Sequence, residues 1–232
     1  MEIFIKLLLA HLIGDFILQP QRWVIHKEAN KIASKFLYFH ILIHLGLYFL
    51  VLWDISSWKL VLLLTLSHFI IDLLKLYSER LFTNKSVPFF LDQLLHIGVI
   101  YACSFFGELP AHTIDLIQNM NWSLLLAIVF VTFPSAIIMS KMLERMSYQI
   151  ETNHKSLPNA GKYIGIIERL FVLVFILVGR WEAIGLLITA KSVFRFNDLK
   201  ESNNRKLTEY ILIGTLVSFG LAILTGILYT QL

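Results

Sequence analysis

The sequence predicts an all-α, polytopic membrane bundle with about eight membrane-embedded helices, and three observations predict it. Of 232 residues, 57% are hydrophobic and only 16% are charged, well below the roughly 25% charged residues of soluble domains. The apolar stretches run about 17 to 23 residues, the length that crosses a hydrocarbon core of roughly 30 Å as a helix. Runs such as Leu60 to Leu66 do not alternate in polarity, so the ten-residue strands of a transmembrane barrel do not fit.

Spans are expected at about 2–19, 36–53, 58–78, 88–107, 122–142, 162–179, 181–196 and 208–230. The first contains His11 and Asp15 and lacks a basic leader or small-residue cleavage site, so a retained span is expected rather than a cleaved signal. The seventh has about 16 residues, roughly 24 Å at helical rise, and reads as a short or half-inserted helix. No soluble domain, low-complexity linker or internal repeat interrupts the pattern. A single integral membrane domain over 1–232 is therefore expected, with a four-helix half at 1–107 and a second half at 122–230. Trp53, Trp58, Trp122 and Trp181 fall near span ends, where indole rings favour the interface. The single cysteine, Cys103, lies in an apolar stretch, so neither a disulfide framework nor a thiolate site is available.

Orientation follows from lysine and arginine. Segments 20–35, 75–87, 141–162 and 191–206 hold 16 of the 20 basic residues. The connections between them on the other side hold only Arg180, with Lys59 beside the first. The positive-inside rule then places the four rich segments in the cytoplasm and both termini outside. Short basic loops without a basic arm exclude a nucleic-acid partner.

Ionisable residues inside spans are costly, on the order of 2.5–3.5 kcal/mol for an Asp at a helix centre, so each requires a partner or a purpose. Here they come in pairs. The first span carries His11 and Asp15, the second His40 and His44, the third His68 and Asp72, the fourth Asp92 and His96. Every pair is spaced i, i+4, which stacks two side chains on one helix face. In the expected topology the inward-running first and third spans read His then Asp, and the outward-running fourth reads Asp then His. Asp15, His40, Asp72 and Asp92 then form one layer and His11, His44, His68 and His96 another, roughly 6 and 12 Å below the cytoplasmic surface.

Imidazole and carboxylate without thiolate suit Zn first, and also Mn, Fe, Co or Ni. Eight residues suffice for one or two divalent transition metal ions. A metal-free proton or hydrogen-bond network is the alternative reading of the same residues. In the second half, Glu168 and Arg169 lie seven or eight residues into the sixth span, and Lys191 and Arg195 are again i, i+4. Glu168 is a candidate general base, and Arg169, Lys191 and Arg195 are candidates to receive phosphate or carboxylate oxygens. An ion pair of Glu168 with a nearby cation and snorkelling of Lys191 and Arg195 are the bland alternatives. His26, His112 and His154 fall in connections and are left out of the site.

Several pieces together resemble a bacterial membrane family known as domain of unknown function 3307. They are His11-Leu-Ile-Gly-Asp15-Phe-Ile-Leu-Gln19, Asn30-Lys31, His40 with His44, His68-Phe-Ile-Ile-Asp72, Asp92-Gln93 with His96, Gly165 to Arg169, Ala190-Lys191-Ser192 with Arg195-Phe196, and the run from Glu209. They extend over nearly the whole chain, and the resemblance implies no established activity. More distantly, the intramembrane His-x3-Asp pattern is similar to that of bacterial membrane-bound metal-dependent hydrolases.

The expected function is a metal-dependent hydrolase of the inner membrane. Its substrate would be a lipid or another anionic, membrane-associated ester or phosphoester, cleaved at the cytoplasmic side. The alternative is a transporter of metal ions or protons through the same cluster. Haem ligation, a di-iron oxygenase and a purely structural role rank below both.

Overall fold

A computed structural model describes residues 1–84, 86–106, 119–147, 160–196 and 205–232, excepting the side chains of 145, 147, 194–196 and 205. Every regular element among them is helical. His112 and His154 lie outside the described residues, and so does the Arg195 side chain. The chain divides into two compact units, Met1–Leu126 and Ala127–Leu232.

The first unit is built from α1 (Glu2–Phe16), α2 (Gln21–Asn30), α3 (Lys35–Leu52), α4 (Trp58–Ser78) and α5 (Ser86–Ser104). Helices α1, α3, α4 and α5 pack in a closed ring, each against two neighbours. Helix α2 does not continue α1. Pro20 lacks an N–H and biases Gln19 away from helical backbone, and the chain turns by 81° across this break. Helix α3 ends at Trp53, which takes left-handed backbone (φ 49°). Asp54 then accepts the Ser56 hydroxyl and backbone N–H, starting the short 3-10 turn Ile55–Ser57. These bonds, the hydroxyl's first, hold the exposed Asp54 carboxyl below its usual range. Pro88 sits in the first turn of α5, where its missing N–H costs nothing.

One end of this ring is apolar. Ile3, Leu7 and Ala10 of α1 meet Tyr48, Val51 and Leu52 of α3, Val61 and Leu64 of α4, and Ile100 and Cys103 of α5 in one buried cluster. Cys103 is the buried apolar residue its surroundings implied. The polar pairs lie beyond this cluster along each helix, directly after Ala10 on α1 and one turn away on α3, α4 and α5, so the apolar plug fixes which end of the ring can be polar.

The second unit contains most of α6 (Trp122–Met142), α7 (Glu144–Ser147), α8 (Ala160–Leu177), α9 (Trp181–Phe196) and α10 (Arg205–Gln231). Its core joins Ala127, Val131, Val172, Leu173, Ile176, Ile184, Phe219 and Ala222. Pro134 interrupts α6 from within. The Phe130 carbonyl that Pro134 cannot serve accepts the Ser135 hydroxyl at 2.7 Å. Arg169 of α8 donates to the next two carbonyls, Val131 (2.5 Å) and Thr132 (3.0 Å). A proline-broken turn is thus closed by a guanidinium. Arg169→Leu should remove two charge-assisted hydrogen bonds to buried carbonyls, worth about 1.5–3 kcal/mol each. Thermal unfolding in detergent checks this, with a melting temperature equal to wild type as the contrary result.

The expectation of eight spans is corrected. Helices occupy all eight places, yet among the described residues five are long and apolar enough to cross a membrane: Lys35–Leu52, Ile55–Leu81, Ser86–Ser104, Trp122–Met142 and Lys206–Gln231. The bent pair α1 and α2 makes six if it counts as one span. Helix α1 stops after 15 residues, held short by the break before Pro20. Helix α9 has 16 residues, about 24 Å of rise. Helix α8 is long enough at 18 residues but carries Lys162, Glu168 and Arg169, too many charges for a simple span.

Candidate metal centre

The eight residues singled out on the first four long helices converge inside the ring of the first unit. His11, His40, His44, His68 and His96 are each 2% exposed or less, and Asp72 and Asp92 are buried with them. Asp15 is the hub. Its Oδ1 lies 3.0 Å from His44 Nε2, 3.3 Å from His40 Nε2 and 3.6 Å from His68 Nε2. Its Oδ2 lies 3.7 Å from His11 Nε2. Around it the imidazoles pack ring on ring, His44 on His68 at 3.8 Å and His68 on His96 at 4.2 Å between centroids.

The remaining members extend this hub. His40 Nε2 and His68 Nε2 are 3.1 Å apart, so at most one of them carries a proton there. Asp72 Oδ2 lies 3.7 Å from His40 Nε2. His96 Nδ1 donates to the Asp92 backbone carbonyl at 2.9 Å, which fixes its tautomer and turns Nε2 inward. Three overlapping sets bring ligand atoms within 4.8 Å of one another: His11, Asp15, His44 and His68; His40, His68 and Asp72; Asp72, Asp92 and His96.

Three residues complete the cluster that sequence reasoning had not placed there. Lys27 Nζ donates to Asp72 Oδ2 at 2.9 Å, and Lys75 Nζ to Asp92 Oδ2 at 3.0 Å. The Gln93 amide donates to Asp15 Oδ2 (3.0 Å) and Asp92 Oδ2 (3.2 Å). Lys75 follows Asp72 by three residues, a spacing that shares a helix face and was a readable signal. Nothing in the sequence around Lys27 points to Asp72; only the 81° turn of α2 brings it there. Because both partners of that pair are almost fully buried, Lys27→Met should destabilise the protein by about 3–5 kcal/mol. Lys31→Met, at a half-buried position on the same segment, should do far less; equal shifts in chemical denaturation would refute the buried pair.

The donor set fits a metal ion on three counts. Among the described residues, seven buried side-chain polar atoms have no hydrogen-bond partner: both nitrogens of His11, Nδ1 of His40, His44 and His68, Nε2 of His96 and Oδ1 of Asp92. Each such atom costs about 1–3 kcal/mol, and orphans so concentrated mark an ion or solvent site. Counted formally, three carboxylates face two ammonium groups and five imidazoles, a residual negative charge that suits a cation. Finally, bonds of about 2.0–2.2 Å to a tetrahedral Zn place its ligand atoms about 3.3–3.6 Å apart. The Asp15 contacts to His11, His44 and His68 span 3.0–3.7 Å.

Residues 3–125 match the family described as protein of unknown function (DUF3307). That match covers more than half of the chain. The chain belongs to this family. The matched residues coincide with the His/Asp unit, Met1–Leu126, so the DUF3307 region is the metal-centre candidate itself. The motifs around Gly165 to Arg169, Lys191 and Glu209 lie beyond it, and the resemblance is narrower than the whole chain. No curated protein and no solved structure matches.

The second-half candidates are engaged locally. Glu168 Oε2 accepts from Lys191 Nζ at 2.6 Å, the ion pair weighed as the bland alternative. Arg169 is 2% exposed and caps the α6 carbonyls. His26, in the bent segment, bonds Ser34 Oγ at 2.8 Å.

Proposed function

We propose that this DUF3307 protein is a metal-dependent membrane hydrolase whose centre is the His/Asp cluster of the first unit. One observation carries the reading. Among the described residues, the cluster opens into a small pocket lined by Asp15, Asp72, Lys27, Lys75, Glu28 and Glu79. On its other side Leu7, Tyr48, Leu64 and Ile100 pack into the apolar plug. A dead-end polar site suits chemistry better than conduction, which needs polar groups continuing to the far face. The transporter reading therefore ranks second.

His11, Asp15, His44 and His68 would hold one divalent ion, Zn by donor type, with Mn, Fe, Co or Ni as alternatives. His40, Asp72, Asp92 and His96 would hold a second or orient the first set. An ion held there supplies Lewis acidity, making water a nucleophile near neutral pH. Gln93 orients Asp15 through its amide. If Asp72 and Asp92 turn to ligation, Lys27 and Lys75 lose their partners and stand in the pocket as cations. There they are suited to an anionic lipid or membrane-associated phosphoester. The pocket, about 30 Å³, has room for only a water or two, so substrate entry requires that lysine movement. Glu28 and Glu79 stand on the pocket wall as carboxylates for proton transfer, which leaves Glu168 to its Lys191 pair. With the basic connections in the cytoplasm, the pocket faces that side of the inner membrane.

Elemental analysis of purified protein tests this. Wild type is expected to retain stoichiometric transition metal, with His68→Ala and Asp92→Asn depleted. Equal content in all three sinks the site. Metal present but no hydrolysis of phosphoesters in reconstituted vesicles, with metal flux instead, would favour the transporter.

A further inference from the structure

The second unit holds its own cavity. It is about 390 Å³ in volume, within the range of small-ligand pockets. It forms where the C-terminal end of α6, the N-terminal end of α8 and the N-terminal end of α10 come together. Ile137 and Leu143 make an apolar wall; Ser140, Lys162, Arg169 and Tyr210 supply polar groups, and among the described residues no carboxylate lines it.

The charge at its base is unusual. Arg169 is 2% exposed, and among the described residues it has no carboxylate ion-pair partner, Glu168 being held by Lys191. Its Nε and Nη2 close the proline-broken turn of α6. Nη1 meets weak acceptors, Ser218 Oγ at 3.1 Å and Met139 Sδ at 3.6 Å. Buried cations are normally paired. Gly165 stands beside this group: a Cβ there would lie 3.1 Å from Nη1. The glycine keeps Nη1 reachable from the cavity. Lys162, exposed at the first turn of α8 and lying over the Phe133 ring at 5.2 Å, adds a second cation, and the helix N-terminus adds partial positive charge.

We propose that this cavity binds the headgroup phosphate of an anionic lipid, with the phosphate between Lys162 and Arg169 and an acyl chain along Ile137 and Leu143. Two cations, with no carboxylate among the described lining residues, select an anion. The apolar wall, in a protein with membrane-length helices, selects a lipid over a free ion. The proposal stands apart from the metal centre and survives if that centre binds no metal.

The test uses the full chain in phosphatidylcholine nanodiscs containing one-third phosphatidylglycerol, followed by native mass spectrometry of lipid retained on release into detergent. Wild type is expected to retain phosphatidylglycerol over phosphatidylcholine. Lys162→Gln should reduce that retention about fivefold, the worth of one lysine near an anionic lipid. Lys59→Gln, an equal charge loss at an exposed position in the other unit, should leave it unchanged. Equal retention of both lipids by wild type overturns the proposal, as does equal loss in the two variants, which would mean unspecific surface attraction. Thermal stabilisation by inorganic phosphate matching that by phosphatidylglycerol would also overturn it, identifying a free anion as the occupant.

Discussion

Gly14→Ala should empty the proposed metal centre and destabilise the protein, although alanine is the better helix former. In an exposed helix interior this exchange stabilises by about 0.5–1 kcal/mol. At Gly14 the added Cβ would fall 2.5 Å from His44 Nε2. The imidazole cannot simply step aside, because Asp15 Oδ1 holds it at 3.0 Å and the His68 ring stacks on it at 3.8 Å. Overpacking of this kind costs about 1–3 kcal/mol, so the sign of the substitution reverses. Moving His44 also breaks the ligand set, so metal affinity should fall by at least the roughly 10–100-fold typical of lost supporting contacts. Gly46→Ala is the matched control: it lies on α3, where a Cβ would meet nothing within 4 Å, and it should be neutral or slightly stabilising. Melting curves and metal content of the two variants decide the matter. Similar behaviour of both would mean that Gly14 does not gate the position of His44.

Asp15→Asn should have the largest effect on metal binding of any single exchange. Asp15 is the carboxylate that reaches four imidazoles, and Gln93 donates to its other oxygen. Asparagine keeps the shape but removes the charge and puts a donor where acceptors are needed. Metal content should drop to trace, while helical content in circular dichroism stays native because the apolar plug at the other end of the ring is untouched. Asp15→Glu should restore part of the metal. Wild-type metal content in Asp15→Asn would remove Asp15 from the ligand set and with it the centre as drawn.

Much of the candidate site was legible because a helix repeats. A pair at i, i+4 shares a face whatever surrounds it, so His11 with Asp15 or His68 with Asp72 announces a polar stripe on an apolar rod. Four stripes inside spans have only one another to face. Convergence of the eight residues follows from the cost of leaving any of them in hydrocarbon. Lys27 escaped that logic because it lies on a separate helix, and its approach to Asp72 depends on the direction the chain takes after Pro20. Arg169 escaped it for a different reason: its partners are the Val131 and Thr132 backbone carbonyls beside Pro134, which carry no side-chain signature. The count of spans failed at α1 and α9, which are too short, and at α8, which is long enough but carries too many charges.

By itself, then, the sequence determined an all-helical chain with membrane-length apolar helices and the eight residues able to form a His/Asp centre. Both follow from composition and from periodicity along one helix. Only the tertiary structure decided that Asp15 is the hub, that Lys27 and Lys75 neutralise Asp72 and Asp92, and that the polar site backs onto an apolar plug. It also decided that Glu168 is spent on Lys191. Those outcomes depend on which helix faces which and on where breaks bend the chain, and pairing across helices is set by packing geometry rather than by any spacing along one of them.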